Sequence, residues 1–246
     1  MNVEIVDRSS MIKRLYNGLI LKPSETAIVT VDMHRGHLDP EVATLPAKPE
    51  DARRVISRTR EVLEFARAHG VAVIHVKLVF RQFPGLGSEA LASPFWHPMH
   101  DLMEEDNRLT PGRRSTVAGH NIQGAPTTEI IPQLLDKRDI VIDNKRRLDC
   151  FQGTDLDYTL RTLGTRNVCL LGINTNTCVL NTAFTAFNHD YRVVVLSDCV
   201  ASMYGDDLHV LGLQNVSRCL GWVLTNEQFR ERIESAEREK VVAVAS

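Results

Sequence analysis

Short runs rich in valine and isoleucine alternate with helix-like segments along most of this chain. Six of these runs are predicted to be strands, at residues 26–32, 71–76, 139–143, 167–172, 192–198 and 221–225. Because most of them are apolar at successive positions, they are typical of strands buried on both faces. Helical segments between the strands indicate parallel pairing through right-handed crossovers. The alternation therefore predicts an α/β fold, a three-layer doubly wound sandwich with a mostly parallel six-stranded sheet.

One stretch interrupts this alternation. Residues 77–123 are rich in proline, glycine and histidine, and a plain loop of this length is uncommon inside a compact domain. We expect short helical pieces here that form a lid or a subunit contact, although a surface excursion without function is equally open. The chain is otherwise predicted to be a single domain, residues 1–246, with an N-terminal extension, residues 1–21, that packs outside the sheet.

Composition narrows the classes of function. Lysine and arginine number 29 and aspartate and glutamate 31, so the net charge of -2 argues against a nucleic-acid partner. No run approaches the roughly 18 apolar residues of a membrane span, and charged residues near the N-terminus argue against a signal peptide. The five cysteines form no C-x-x-C pair, which favours free thiols. We therefore expect a cytoplasmic protein with no membrane or nucleic-acid partner.

Reactive side chains follow three of the predicted strands. Asp32 ends the first strand, Lys145 lies just past the third, and Cys178 lies beyond the fourth at the start of a helix. In an open parallel sheet, ligands bind outside the carboxyl ends of the strands. We therefore predict an active site in which these three side chains share one cavity.

Cys178 carries the most specific signal of the three. At a helix N-terminus, unpaired N–H groups and the helix dipole favour a thiolate, and Lys145 would stabilise that thiolate further. The backbone N–H groups of Thr177 and Cys178 could form an oxyanion hole, and Asp32 could move the protons. Each of the three residues also has a structural alternative when taken singly, as a buried cysteine, a turn aspartate or a surface lysine.

Three segments around these residues resemble the isochorismatase-like cysteine hydrolases, which include nicotinamidases, N-carbamoylsarcosine amidohydrolase, and biuret, ureidoacrylate and maleamate hydrolases. The segments are AIVTVDMHRGHLDP, VIDNKRRLDCFQGTDLDYTLRTLG and LLGINTNTCVLNTAFTAFNHDYRVVVLSDCVAS. The resemblance implies that Asp32 is the general base and then acid, Lys145 the electrostatic partner, and Cys178 the nucleophile. It also implies a cis peptide bond between Ile173 and Asn174.

Four residues are candidates for the substrate pocket: His34, Phe151, Asn174 and Tyr204. Phe151 is included because the resemblance implies that its position lines the pocket. His34 stands where many family members have glutamine, so the family's contacts at that edge of the pocket do not transfer to this chain.

Neither a metal nor a cofactor is predicted. The segment HVKLVFRQFP lacks the Asp-x-His metal motif that the resemblance associates with nicotinamidases, which also argues against that activity. Two histidine pairs, His34 with His37 and His97 with His100, have a spacing that helical zinc ligands could use. No third ligand or glutamate base accompanies either pair at recognisable spacing, so solvated or hydrogen-bonded histidines are the favoured interpretation.

The predicted function is cysteine-dependent hydrolysis of a C–N bond in a small amide, ureido or carbamoyl compound through a thioester. A simple carboxamide, as in nicotinamidase-like or maleamate-like hydrolases, is the alternative substrate. Vinyl-ether hydrolysis is disfavoured because family members with that activity do not use this cysteine. The intact triad also disfavours a non-catalytic binding protein. The resemblance implies a homodimer or a homotetramer.

Overall fold

A central six-stranded sheet organises the molecule, whose computed structural model describes residues 15–109 and 115–245, with side chains to residue 238. In chain order the strands are β1 (Thr26–Val31), β2 (Ala72–Leu78), the two hairpin strands β3 (Gln82–Phe83) and β4 (Gly87–Ser88), β5 (Ile140–Lys145), β6 (Asn167–Ile173), β7 (Arg192–Ala201) and β8 (Gly221–Leu224). The sheet order is β5-β2-β1-β6-β7-β8, and every neighbouring pair is parallel. The predicted α/β fold with six strands is confirmed.

Helices cover the sheet, as the alternation predicted. They are α1 (Arg35–Leu38), α2 (Pro49–Ala68), α3 (Trp96–Leu109), α4 (Leu156–Thr162), α5 (Leu180–Asn188), α6 (Asp206–Asn215) and α7 (Asn226–Ala245). In α2 the buried positions include Val55, Val62 and Ala66, whose spacing places them on one face of the helix. Pro49 opens this helix at a position where its missing N–H costs no hydrogen bond. No helix among the described residues is long and apolar enough to cross a membrane.

The strand order determines where a ligand can bind. β1 lies between β2 and β6, so the chain leaves β1 in one direction along the sheet and later returns on its other side. The crevice at such a reversal opens at the carboxyl ends of the strands. β1 and β6 are buried along their whole length, which explains their continuous apolar runs and fixes the position of their ends.

The stretch at residues 77–123 begins in the last two residues of β2. It continues through the β3–β4 hairpin and a short 3₁₀ helix (Glu89–Ala92) into α3, so it does contain short helical pieces. No residue of α3 is buried. Residues 110–114 lie outside the described residues, and the role of this stretch as a lid or subunit contact stays a prediction.

The predicted N-terminal extension lies partly outside the described residues, since residues 1–14 are not among them. Its last part packs against the molecule, with Leu19 and Leu21 fully buried. Tyr16 donates a hydrogen bond to the carbonyl of Val223 in the edge strand β8, over 2.8 Å. Residues 15–21 therefore contact the main body, and the predicted domain bounds stay a prediction.

Candidate active site

Asp32, Lys145 and Cys178 meet at the carboxyl end of the sheet. Lys145, the last residue of β5, places Nζ 2.6 Å from Asp32 Oδ2 and 3.5 Å from Cys178 Sγ. Asp32 follows β1 with a φ of 54°, a left-handed conformation that aspartate tolerates better than most residues. Its other oxygen, Oδ1, accepts a hydrogen bond of 2.7 Å from the N–H of Leu78. The carboxylate is therefore held between the backbone of β2 and the lysine.

The three side chains are buried together, and burial affects the pKa values of Lys145 and Cys178. Asp32 and Lys145 are 0% exposed and Cys178 is 5% exposed. Burial opposes the charge of Lys145, but Asp32 and Cys178 outweigh it and raise the pKa of the ammonium. Burial raises the pKa of the Cys178 thiol, Lys145 lowers it, and Asp32 raises it further. The pKa shifts therefore favour the ammonium form of Lys145 and the neutral thiol of Cys178.

Burial and Asp32 act against the thiolate that the sequence predicts for Cys178. The helix N-terminus and Lys145 stabilise a negative sulfur, whereas removal of the thiol from water and the charge of Asp32 raise its pKa. The thiolate at Cys178 stays a prediction.

Cys178 lies in a single π-helical turn, Thr175–Val179, that joins β6 to α5. The peptide bond between Ile173 and Asn174, just before this turn, is cis. The Asn174 carbonyl accepts hydrogen bonds of 3.2 Å from the N–H groups of Thr177 and Val179, on either side of Cys178. The N–H of Thr177, one of the two predicted oxyanion donors, therefore already donates a hydrogen bond within the turn. The other predicted donor, the N–H of Cys178, does not bond to this carbonyl.

A cavity of about 440 Å³ opens above Cys178. Its polar lining includes Asn174 and Tyr204, two of the four pocket candidates, and its apolar lining includes Leu78, Phe80 and Trp96. Phe80 and Trp96 belong to the stretch at residues 77–123, so that stretch forms part of the cavity wall.

The other two pocket candidates do not line this cavity. His34 is 0% exposed and lies behind the cavity wall, where its Nε2 accepts a hydrogen bond of 2.8 Å from Asn121 Nδ2. The ring of Phe151 packs near those of Tyr191 and His189, with centroids 6.1 and 5.3 Å away. The position that the resemblance implies therefore does not bring Phe151 to the wall of this cavity.

His37 and His120 also line the cavity. The sequence pointed to their segments, residues 34–37 and 77–123, as sources of specificity, but it did not place either ring in the pocket. The His37 ring stacks on that of His34 at 4.9 Å and lies 4.8 Å from that of His120. No spacing signal links His120 to the pair, because the contact arises only when the stretch at residues 77–123 folds back. The ring nitrogens bond instead to protein groups: Nδ1 of His37 to the Leu45 carbonyl and Nδ1 of His120 to Thr44 Oγ1, both at 2.7 Å. The described residues contain no group of three or more ligating side chains arranged for a metal.

Charged side chains at the rim set the charge of the cavity. Arg146 donates a hydrogen bond of 2.8 Å to the Val79 carbonyl, and its Nε lies 3.5 Å from Glu89. Arg147 is exposed and bonds to the carbonyl of its neighbour Arg146, with no acidic partner among the described side chains. The negative charge of Glu89 balances the positive charge of Arg146. The charge of Arg147 is not balanced in this way, so the rim has a net positive charge.

The chain is similar to known proteins over most of its length. The isochorismatase domain family matches residues 26–228. The chain is 30% identical, over 219 residues, to the ureidoacrylate amidohydrolase RutB of Agrobacterium fabrum, and the match covers 86% of this chain and 91% of that relative.

Solved structures share the fold. A cysteine hydrolase from Pseudomonas syringae pv. phaseolicola 1448A superposes with a TM-score of 0.72 at 25% identity, over 89% of this chain and 96% of that one. An N-carbamoylsarcosine amidase from Thermoplasma acidophilum superposes with a TM-score of 0.60 at 25% identity, over 82% and 96% of the two chains. The similarity thus extends over nearly the whole length of these proteins.

Proposed function

The chain belongs to the isochorismatase family, and on that premise we propose that it is a cysteine-dependent amidohydrolase that cleaves a C–N bond of a small amide or ureido compound with Asp32, Lys145 and Cys178. The observation that carries the proposal is the position of Lys145 Nζ, 2.6 Å from Asp32 Oδ2 and 3.5 Å from Cys178 Sγ. Since Cys178 also lines a cavity, a substrate carbonyl can reach its sulfur.

The proposed reaction begins at the Cys178 thiol. Asp32 takes the thiol proton as the sulfur attacks the substrate carbonyl carbon, and the Cys178 N–H stabilises the resulting oxyanion. Asp32 then gives this proton to the leaving nitrogen, the C–N bond breaks, and a thioester remains. Asp32 next deprotonates a water molecule, which attacks the thioester carbon. The C–S bond then breaks, the acid product leaves, and Asp32 returns the proton to the sulfur of Cys178.

Lys145 acts throughout as a fixed positive charge. Its raised pKa keeps the ammonium protonated, so it does not exchange protons during the cycle. Its charge stabilises the sulfur anion that forms during attack, and it also offsets the negative charge of Asp32 whenever that residue has given up its proton.

The rim of the cavity favours a substrate that carries a carboxylate. Arg147 is exposed there without an acidic partner among the described side chains, and a guanidinium binds carboxylates through paired hydrogen bonds. The similarity to ureidoacrylate amidohydrolase, a relative named for a ureido acid, supports a ureido compound over a simple carboxamide.

We also propose that the protein is cytoplasmic and forms a homodimer or homotetramer. The cysteines are free, as expected of a reducing compartment. Phe184 and Phe187 expose their rings on α5, which offers an apolar surface for self-association. Light scattering of the purified protein measures its mass in solution, and a monomer at all concentrations would contradict the assembly.

Ammonia release across a panel of small carboxamides and ureides tests the function. The wild type should turn over at least one ureido compound, with carboxylate-bearing compounds preferred. Cys178→Ala should lower kcat by about 10³-fold or more, because loss of a covalent nucleophile leaves only binding and electrostatic contributions. The matched control is Cys219→Ala, at an exposed cysteine outside the cavity, which should retain wild-type turnover.

Two outcomes would overturn the proposal. Turnover near the wild-type rate in Cys178→Ala would exclude the thioester route. Absence of hydrolysis of every amide and ureide, in wild-type protein of verified fold, would indicate a binding protein on the same fold.

A further inference from the structure

His37 presents one defined atom to the cavity that the catalytic steps do not use. Its Nδ1 lies 2.7 Å from the Leu45 carbonyl oxygen, and a carbonyl oxygen only accepts hydrogen bonds. Nδ1 therefore carries the hydrogen. In a neutral imidazole the other nitrogen, Nε2, then has a free lone pair and acts as an acceptor. Burial lowers the pKa of His37, which favours this neutral form near neutral pH.

Nε2 of His37 is open to the cavity. It has no hydrogen-bond partner among the described residues. Unlike Nδ1 of His34, which is unpaired and fully buried, it is not among the unpaired atoms without accessible surface. Since His37 lines the same cavity as Cys178, a bound molecule can reach this nitrogen.

The ring is fixed in place by its neighbours. It packs against the rings of both His34 and His120, at 4.9 and 4.8 Å, and those two rings lie 6.1 Å from each other. Asn121 Nδ2 joins the rings of His34 and His120 with hydrogen bonds of 2.8 and 3.0 Å to their Nε2 atoms. An acceptor held this rigidly can discriminate between ligands, because a mismatched ligand cannot be accommodated by rotation of the ring.

Asn174 lines the same cavity and offers a hydrogen-bond donor. Asn174 Oδ1 accepts a hydrogen bond of 2.9 Å from the N–H of Met203, so the side-chain nitrogen Nδ2 is the atom left to interact with a ligand. The cavity therefore offers a donor at Asn174 and an acceptor at His37. An amide or ureido group has the complementary pair, a carbonyl oxygen and an N–H.

We propose that His37 determines specificity by accepting a hydrogen bond from the N–H of the substrate's amide or ureido group through Nε2. The inference rests on the proposed amidohydrolase function. This contact favours substrates with an N–H over esters of the same acid, which are intrinsically more reactive toward a sulfur nucleophile. A buried acceptor that a ligand leaves unpaired costs binding energy, so the ester is penalised.

The test compares a carboxamide turned over by the wild type with the methyl ester of the same acid. His37→Phe keeps a flat ring but has no acceptor, and it should lower kcat/KM about tenfold for the amide and less than about twofold for the ester. His37→Gln retains an acceptor oxygen and should preserve the amide preference within about threefold. If the Phe variant does not fold, His37→Met removes the acceptor with a more flexible side chain.

The outcomes separate this inference from the proposed function. Equal losses for amide and ester in His37→Phe, or no loss for either, would overturn the role of His37 while wild-type amide turnover still supports the function. A wild type that cleaves the ester but no amide or ureide would overturn the proposed function, and the specificity role with it.

Discussion

Lys145 is a charged residue without any exposed surface, and its contacts explain how the core accommodates it. Nζ lies 2.6 Å from Asp32 Oδ2, and both side chains are 0% exposed. Two buried charges are expensive to take out of water, and their attraction compensates only while both are present. At the scale of single residues, the pair therefore carries a stability risk, because losing either partner leaves an uncompensated charge.

The first prediction concerns this pair. Lys145→Met should lower the free energy of unfolding by about 3–5 kcal/mol, because Asp32 is left buried without its counterion. The double variant Asp32→Asn/Lys145→Met should recover most of that loss, since neither charge remains. Urea denaturation measures stability, and ammonia release should show no turnover in either variant. A loss below about 1 kcal/mol in Lys145→Met would contradict the buried pair.

At the scale of elements, the end of β6 is where the fold is most tightly constrained. Gly172 has a φ of 126°, and a Cβ built on it would lie 2.0 Å from the carbonyl oxygen of Val31 in β1. The pairing of β6 with β7 also shifts register between Leu170 and Gly172. This close approach of two backbones immediately precedes the turn that carries Cys178, so the position of Cys178 depends on a residue without a side chain.

The second prediction concerns this contact. Gly172→Ala should lower the free energy of unfolding by about 3 kcal/mol or more, because the methyl group meets backbone that cannot move without disturbing the sheet. Gly164→Ala is the matched control, with a positive φ of 68° but nothing within 4 Å of the added Cβ. It should cost about 1–2 kcal/mol. Equal losses in urea denaturation would show that the clash with Val31 is unimportant.

At the scale of the whole molecule, three buried histidines connect distant segments. His34 and His37 follow β1, whereas His120 comes from the far end of the stretch at residues 77–123. Burial lowers the pKa of all three rings, and the neighbouring rings add to this for His34 and His120. The three imidazole rings therefore stay neutral in the folded molecule. When the chain unfolds in mild acid, each of them takes up a proton.

The third prediction follows from the sign of these shifts. The unfolded chain binds more protons than the folded one below the ordinary histidine pKa of 6.5, so stability falls as pH decreases from there toward the lowered folded pKa values. Each histidine contributes a slope of up to about 1.4 kcal/mol per pH unit. Urea denaturation between about pH 7.5 and pH 5 measures the slope.

A pair of variants assigns that slope to the buried rings. His120→Gln should reduce the slope by up to one proton, whereas His97→Gln, at an exposed histidine, should leave it unchanged. A wild-type stability that does not vary between neutral and mildly acidic pH would contradict the prediction.

The sequence alone predicted the sheet and the three strand ends that carry Asp32, Lys145 and Cys178. Strand patterns are local, because burial on both faces requires apolar side chains at successive positions. The meeting of the strand ends follows from topology, because parallel strands place their carboxyl ends at one edge of the sheet. Fold and candidate triad were therefore accessible before any coordinates.

Only the tertiary structure decided how the cavity is lined and where its protons lie. His120 reaches His37 through the folding of a long intervening stretch, and Phe151 packs near Tyr191 and does not line the cavity. The raised pKa of the Cys178 thiol depends on burial beside Asp32, which no local pattern reports. These properties arise from contacts between residues far apart in the chain. Such contacts exclude water only in the folded molecule, and the exclusion of water shifts the pKa values of the buried groups.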